Sequence, residues 1–293
     1  GKKPDSKNRS SIIAISVKRR RMMRADLHIH TTASDGTWTP AELIDQAAAV
    51  GVEALSVTDH DSVANVAEAE KLARAAGMKF IPAAEICATK SGTMFHILSY
   101  GVNIDNRELL SLLQHNERLL NDKDVDSIAV LEREGWPVSV QEFSRYDYDR
   151  RRGGWRALAY LQDKGLCLDV NDFFGRIFTE EHNLGFPEFP SVQEVIATIH
   201  AAGGAAVCAH AASGFHGPGL ENVLELLEEE CFDGFECYHS GHSEENTQKL
   251  LAYCRSRGLL ISGGSDCHGT FVPGRDLGKP VITTDDLYLP GLL

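Results

Sequence analysis

Six short clusters of histidine and carboxylate punctuate the chain: Asp26-Leu27-His28-Ile29-His30, Thr58-Asp59-His60-Asp61, Ala84-Glu85, Phe95-His96, Ala209-His210 and Ser265-Asp266-Cys267-His268. Imidazole mixed with carboxylate is the ligand set of a hydrolytic metal centre. Each cluster comes with an apolar run that reads as a strand, so several strands would deliver ligands to one place. On a strand, residues two apart face the same side. His28 and His30 can therefore reach one ion, at ~2.0–2.1 Å if it is zinc. Asp266 and His268 repeat that spacing. His60 points opposite to Asp59 and Asp61; Asp61-Ser62 also suits a helix N-cap. Glu85 reads either as a surface turn residue or as a carboxylate bridging two cations, which a neutral histidine cannot do. Each cluster alone has an ordinary structural explanation; six together point to a metal site.

Other residues qualify for supporting roles. His216, His239 and His242 lie in loops after strands, where they could contact substrate or transfer protons at the mouth of the site. His115, His182 and His200 fall in helical or irregular segments and read as surface or core residues. Arg152, Arg156 and Arg275 are candidate phosphate contacts, because guanidinium matches phosphate bidentately; solvated surface charge is the plainer reading of each. Cys267 lies between two candidate ligands but faces the other way, as a strand-end filler.

The elements that must position these groups alternate. Strands are expected at 25–30, 54–57, 79–83 and 94–100. Helices are expected at 40–50, opened by Thr39 and Pro40 with Glu42 following and stopped by Gly51, and at 63–76, stopped by Gly77. The period breaks at a mostly helical stretch, 106–134, and an irregular one, 138–190. It resumes with helices at 192–202, 220–229 and 244–257 and strands at 205–209, 234–237 and 259–262. Repeated βα units of this length imply an α/β fold with a mainly parallel sheet or barrel, whose working groups sit at the carboxyl ends of the strands. The organisation expected is a metal-binding unit at 24–103 and 191–285 interrupted by an inserted subdomain at 104–190. Residues 1–23, rich in Lys, Arg and Ser, read as a poorly ordered extension or a cloning remnant, with Met22 or Met23 as the natural start.

Bulk properties narrow the function. The 293 residues suffice for one large domain or two smaller ones. No apolar run approaches the ~20 residues of a membrane span, and the run at 12–17 is shorter than a secretory core. A net charge of −13 argues against sequence-blind binding of duplex nucleic acid. It leaves room for a small anionic substrate, because bound metal ions reverse the local sign. Seven cysteines without a CxxC pair read as reduced thiols of a cytoplasmic protein.

Taken in order over residues 24–270, the run from Asp26 through His28, His30 and Asp35-Gly36, followed by Thr58-Asp59-His60, Glu85, His96, Ala209-His210 and Gly264-Ser265-Asp266-x-His268, resembles the PHP family, the polymerase and histidinol phosphatase group of metallo-phosphoesterases. The resemblance implies a distorted (β/α)7 barrel and two or three divalent ions, Mn, Fe or Zn. His28, His30, Glu85 and Asp266 would hold one ion. Glu85 would bridge to a second held by His96 and His210, and Asp35, His60 and His268 would hold a third; Asp35 enters by the resemblance alone. The insert is similar to that of a stand-alone subgroup that includes 3′,5′-nucleoside bisphosphate phosphatases and a 5′–3′ exoribonuclease. Two departures stand out. Arg152-Gly153-Gly154-Trp155-Arg156 replaces a Gly-Arg-Pro-His stretch, and Ala209-His210-Ala211 replaces Ala-His-Pro.

The resulting expectation is a phosphoesterase in which a hydroxide bridging two ions attacks phosphorus in line. Glu85, His216 and His242 would serve catalysis; Arg152, Arg156, Arg275 and His239 would contact the substrate, a nucleotide or short oligonucleotide. Alternatives are a phosphatase of a small metabolite such as histidinol phosphate, a C–N amidohydrolase, and a non-catalytic PHP module that binds metal or nucleotide.

Overall fold

The computed structural model describes residues 21–216 and 219–293. Most of the expected extension, residues 1–20, lies outside the described residues. Met23 already exchanges hydrogen bonds with Thr284, so pairing begins just ahead of β1.

Strand β1 (Arg24–Asp26) leads into the first histidine pair. It is followed by α1 (Pro40–Val50), β2 (Ala54–Leu55), α2 (Val66–Ala75) and β3 (Lys79–Phe80). The local signals explain α1. The Thr39 side chain caps the backbone of Glu42, the Glu42 carboxylate returns to Thr39 N, and Gly51 closes the helix at φ 76°. A hairpin comes next: β4 (Glu85–Lys90) and β5 (Thr93–Tyr100) pair antiparallel through Ser91 and Gly92, both at positive φ. Two consecutive left-handed residues are what a two-residue hairpin turn needs.

Segment 104–190 is built on α3 (Arg107–Arg133), capped by the Asn106 side chain, with α4 (Val140–Ser144) and α5 (Arg156–Asp163) folded against it and α6 (Val170–Asp172) following. It has an apolar core of its own, including Ile128, Leu131, Phe143, Leu158, Tyr160 and Phe173. The chain then continues as α7 (Val192–Ala201), β6 (Ala205–Cys208), α8 (Leu220–Leu226), β7 (Gly234–His239), α9 (Glu244–Arg257), β8 (Leu260–Gly264) and β9 (Ile282–Thr283).

The strands form two sheets, ordered β3-β2-β1-β9 and β4-β5-β6-β7-β8. Pairing is mixed: β1, β2 and β3 run parallel, as do β6, β7 and β8, whereas β9 and the β4–β5–β6 ladder are antiparallel. Helices α7, α8 and α9 cover the larger sheet and α1 and α2 the smaller; Leu27, Leu98, Tyr100 and Val207 fill the space between the sheets.

The α/β class is as expected, but the ladders do not close into one continuous barrel. Single bridges join the two sheets instead, Ile29 to Cys267 and His60 to Glu85. Strands expected to run to 30, 57 and 83 stop at Asp26, Leu55 and Phe80. Asp61, His210 and Asp266 stand at φ 45°, 30° and 55°. Such left-handed residues interrupt an extended run, here in the segments that follow β2, β6 and β8. Two clusters also depart from the expected placing at strand ends: Glu85 opens β4, and His96 lies within β5.

Candidate metal centre

The two bridges between the sheets coincide with the densest collection of buried ionisable groups. His28, His30 and Glu85 are fully buried, and Asp266 is nearly so. His28 Nε2 lies 3.2 Å from Glu85 Oε2 and 3.4 Å from Asp266 Oδ1; His30 Nε2 lies 3.3 Å and 3.1 Å from the same two oxygens. The other oxygen of Glu85, Oε1, lies 3.2 Å from His96 Nδ1 and 3.0 Å from His210 Nε2, which are 3.3 Å from each other. A third group joins them: Asp35 Oδ2 is 3.3 Å from His268 Nε2 and 3.9 Å from His60 Nε2, and Asp35 Oδ1 is 3.6 Å from His30 Nδ1. The structure thus brings together all nine residues named as candidate ligands.

These groups fit divalent ions on the chemistry of the donor set. Ligand atoms at ~2.0–2.1 Å from one tetrahedral ion stand roughly 3.3 Å apart, close to the separations in the first two groups. His28 Nε2, both nitrogens of His30, His60 Nδ1 and Glu85 Oε2 are buried without a hydrogen bond. Burying several polar atoms in one place in charge contacts without a hydrogen bond is costly; shared cations would satisfy them together. The left-handed backbone of His210 and Asp266 points the same way, since such conformations cost roughly 1–3 kcal/mol and gather at functional sites.

Neighbouring side chains fix the donors. Glu236 is fully buried on β7; its Oε1 lies 2.9 Å from His28 Nδ1 and its Oε2 accepts from His210 N at 2.8 Å. Nδ1–H of His28 thus faces a carboxylate and Nε2 faces the centre, an arrangement that orients metal-ligating imidazoles. A second relay sits behind His210. His216 Nδ1 donates to Met94 O at 3.0 Å, its Nε2 lies 3.2 Å from His210 Nδ1, and His210 Nε2 lies 3.0 Å from Glu85 Oε1. Burial holds these two imidazoles neutral, pushing His210 down to about 3 and His216 to about 4. Asp59 accepts from Thr31 N, Thr31 Oγ1 and Ser34 Oγ and so shapes the loop that carries Asp35.

Burial opposes the charge on Glu85, yet His28, His96 and His60 hold it well below the usual carboxylate range. Burial likewise pulls His30 down, but Asp266 and Glu85 outweigh it and raise the imidazole to about 10.

The remaining candidates divide. His239 Nε2 lies 3.2 Å from Asp266 Oδ2, and the Arg275 guanidinium donates to the same oxygen from a partly exposed position. His242 has both ring nitrogens against backbone, Nε2 toward Ala212 N and Nδ1 toward Cys237 O. Arg152 pairs with Asp163 and Tyr146, and Arg156 donates to Phe143 O and Tyr146 O, so both guanidinium groups are engaged within segment 104–190. Contact between that segment and the centre comes from their neighbours: Gly154 N donates to Asp35 O at 2.8 Å and Arg150 to Ala33 O at 2.9 Å. His115 is exposed, while His182 and His200 pair with Glu134 and Asp233. Cys267 packs in the core beneath α1 and α2.

The sequence reading missed Glu236. Its signal was a lone carboxylate inside the apolar run Gly234-Phe235-Glu236-Cys237-Tyr238. Cys87, grouped with His60 and His96, was also missed and carries no comparable signal.

Comparison with known proteins adds to the geometry. The PHP domain family model matches residues 26–202. A 5′-3′ exoribonuclease of Haemophilus influenzae is 30% identical over 253 residues, 83% of this chain and 89% of the relative. A 3′,5′-nucleoside bisphosphate phosphatase of Chromobacterium violaceum is 28% identical, with 91% and 93% covered. Among solved structures, one assigned as a metal-dependent phosphoesterase of Bifidobacterium adolescentis superposes with a TM-score of 0.77 at 26% identity, covering 89% of this chain and 93% of that one. An amidohydrolase of Chromobacterium violaceum with bound sulfate gives 0.75 at 27%, covering 92% of both chains.

The buried His/carboxylate centre and the mixed α/β fold around it define a metal-dependent hydrolase. The chain belongs to the PHP domain family.

Proposed function

We propose that the protein hydrolyses phosphoesters of nucleotides, either the phosphate of a nucleoside 3′,5′-bisphosphate or the terminal linkage of a short oligoribonucleotide. The chain is a metal-dependent phosphoesterase. Relatives named as exoribonucleases, a nucleoside bisphosphate phosphatase and a phosphoribosyl cyclic phosphate diphosphodiesterase support the nucleotide class. The observation that carries the reading is Glu85, whose two oxygens face two separate donor groups.

In this reading His28, His30, Glu85 and Asp266 hold one ion, Glu85, His96 and His210 a second, and Asp35, His60 and His268 a third, from among Mn, Fe and Zn. Divalent ions there lower the pKa of water and neutralise phosphate oxygens. The residues do the positioning. Glu236 and His216 fix the imidazoles of His28 and His210. His60 and Asp35, the most open of the nine at 23% and 18% side-chain exposure, face the arriving phosphate. Arg275 keeps donors beyond the one on Asp266 and contacts the phosphate at the rim. The two sheets act as one distorted barrel, 24–103 and 191–285, and the insert at 104–190 shapes the substrate side. A cytoplasmic location suits the seven cysteines, none in a disulfide; among the described residues no helix is long and apolar enough to cross a membrane.

The test combines metal analysis with release of phosphate from adenosine 3′,5′-bisphosphate and of mononucleotides from short RNA. Two or three bound ions and turnover of at least one substrate are expected, with Glu85→Gln losing most of it. A metal-loaded protein inert on both substrates, or a Glu85→Gln variant with full turnover, would overturn the reading.

A further inference from the structure

Strand β4 carries a second donor beside Glu85. Residues two apart on a strand face the same side, so Glu85 and Cys87 look the same way, while Ile86 and Ala88 pack into the apolar core. In the β4–β5 ladder Cys87 stands directly opposite His96, and directly opposed residues share a face. The bridge from His60 to Glu85 brings His60 to the same edge. As a result the Cys87 sulfur and one ring nitrogen each of His60 and His96 lie within 4.8 Å of one another.

The surroundings hold this thiol in place. Asp61 Oδ1 accepts from Cys87 N at 3.2 Å and from Asn116 Nδ2 at 2.7 Å, and Asn116 Nδ2 also donates to Cys87 O at 2.9 Å. The Asp61 carboxylate stands beside the thiol, is 5% exposed, and has in Oδ2 a buried oxygen with no partner but that thiol. The two imidazoles also face Glu85, His60 Nδ1 at 3.1 Å and His96 Nδ1 at 3.2 Å. The set therefore adjoins the groups described above and does not depend on any imidazole standing alone.

Sulfur makes this set unlike the others. Those consist of imidazole and carboxylate, which take hard and borderline ions; a thiolate favours soft ones. We propose that Cys87, with His60 and His96, forms a further metal site, selective for thiophilic divalent ions such as Zn²⁺ over Mn²⁺. On binding, the S–H bond breaks, a sulfur–metal bond forms and the proton passes to water. The same imidazoles serve the second and third ions proposed above, so an ion on Cys87 competes with those for His60 and His96. The inference rests on the metal-centre part of that reading and not on its substrate.

Two measurements test it, both on the full chain in a Cys231→Ser background, because Cys231 is the exposed cysteine and could bind the probe itself. In the first, chelator-stripped protein is titrated with Co²⁺. Thiolate ligation gives a near-ultraviolet charge-transfer band, which Cys87→Ser loses while keeping the visible bands of cobalt bound by imidazole and carboxylate. In the second, Cd²⁺ and Mn²⁺ affinities are measured by competition with a chromophoric chelator. Cys87→Ser weakens Cd²⁺ by about tenfold or more, at least the loss that supporting groups around a metal cause, and leaves Mn²⁺ unchanged. If Cys87→Ser does not fold, Cys87→Ala carries both comparisons. A parent protein without the band, a band that survives in the variant, or equal losses of Cd²⁺ and Mn²⁺ overturns the inference. Neither titration contains a phosphoester. Protein that shows the band and hydrolyses no ester keeps this inference and loses the phosphoesterase reading, and turnover without the band loses this inference alone.

Discussion

At the scale of single residues, the centre is a balance of buried charges. Glu85 and Asp266 are held ionised by surrounding imidazoles, and they in turn keep protons on His28 and His30 against the pull of burial, His30 rising to about 10. Cations occupying those donor sets must displace the protons. Metal loading near neutral pH is therefore expected to release protons, and metal affinity to rise with pH. Calorimetric titration with Mn²⁺ in two buffers of different ionisation enthalpy measures this; identical heats in both buffers would contradict it. Glu236 allows a separate prediction. Replacing it with Gln keeps the shape but removes the charge facing His28 Nδ1, and substitutions at such supporting groups typically weaken metal binding about 10–100-fold. Competition with a chromophoric chelator reads the change, and an unaltered affinity would remove Glu236 from the positioning role. The sequence disclosed much of this scale, because histidines two apart and acids beside them are conspicuous. Glu236 escaped because its partners, His28 and His210, lie 208 and 26 residues away.

Elements carry these residues to one point only because their backbones approach closely where the ligands leave the strands. Gly264 ends β8 against β1; a Cβ there would stand 2.4 Å from both the Cβ and N of His28. Gly264→Ala must push His28 away, and overpacking of this kind costs about 1–3 kcal/mol. A lower melting temperature together with a lower metal content is expected. Gly175→Ala, where an added Cβ meets nothing within 4 Å, serves as the control and should lie within roughly 0.5 kcal/mol of the parent. Equal melting of the two variants would show that the approach at Gly264 tolerates a methyl group. Helices were the most legible elements. Thr39, Pro40, Glu42 and Gly51 specify α1 within a few residues of themselves, and Asn106 and Ser243 do the same for α3 and α9. Strand ends were less legible. Whether Leu27–His30 pleats or bends is decided by Gly263–Cys267, over two hundred residues away, and the β4–β5 hairpin rests on the short signal Ser91-Gly92.

For the whole molecule, the candidate ligands run from His28 to His268, so ions at the centre tie together almost the entire described chain. Ligands that bind only the folded state stabilise it by mass action, about 2.7 kcal/mol at a hundredfold excess over Kd. Segment 104–190 shares in this. The sequence breaks its βα period over that segment, but its seating does not show there, because the link to the loop carrying Asp35 is a main-chain hydrogen bond from Gly154, beside the Arg150 side chain on Ala33 O. That link needs two glycines at positive φ: side chains at 153 and 154 would meet Phe271 at 2.5 Å and 2.8 Å. The Asp35 loop is thus held from one side by the donor group of His60 and His268 and from the other by segment 104–190. Removing divalent ions with a chelator is expected to lower the melting temperature by about 5 °C or more and to raise amide exchange in two places at once, at residues 31–36 and at 150–156. Mn²⁺ or Zn²⁺ added back should reverse both changes. Exchange that rises at 31–36 while 150–156 stays protected would mean that segment 104–190 is seated independently of the metal centre. In that case Gly154 fixes the Asp35 loop without sensing whether the centre is loaded.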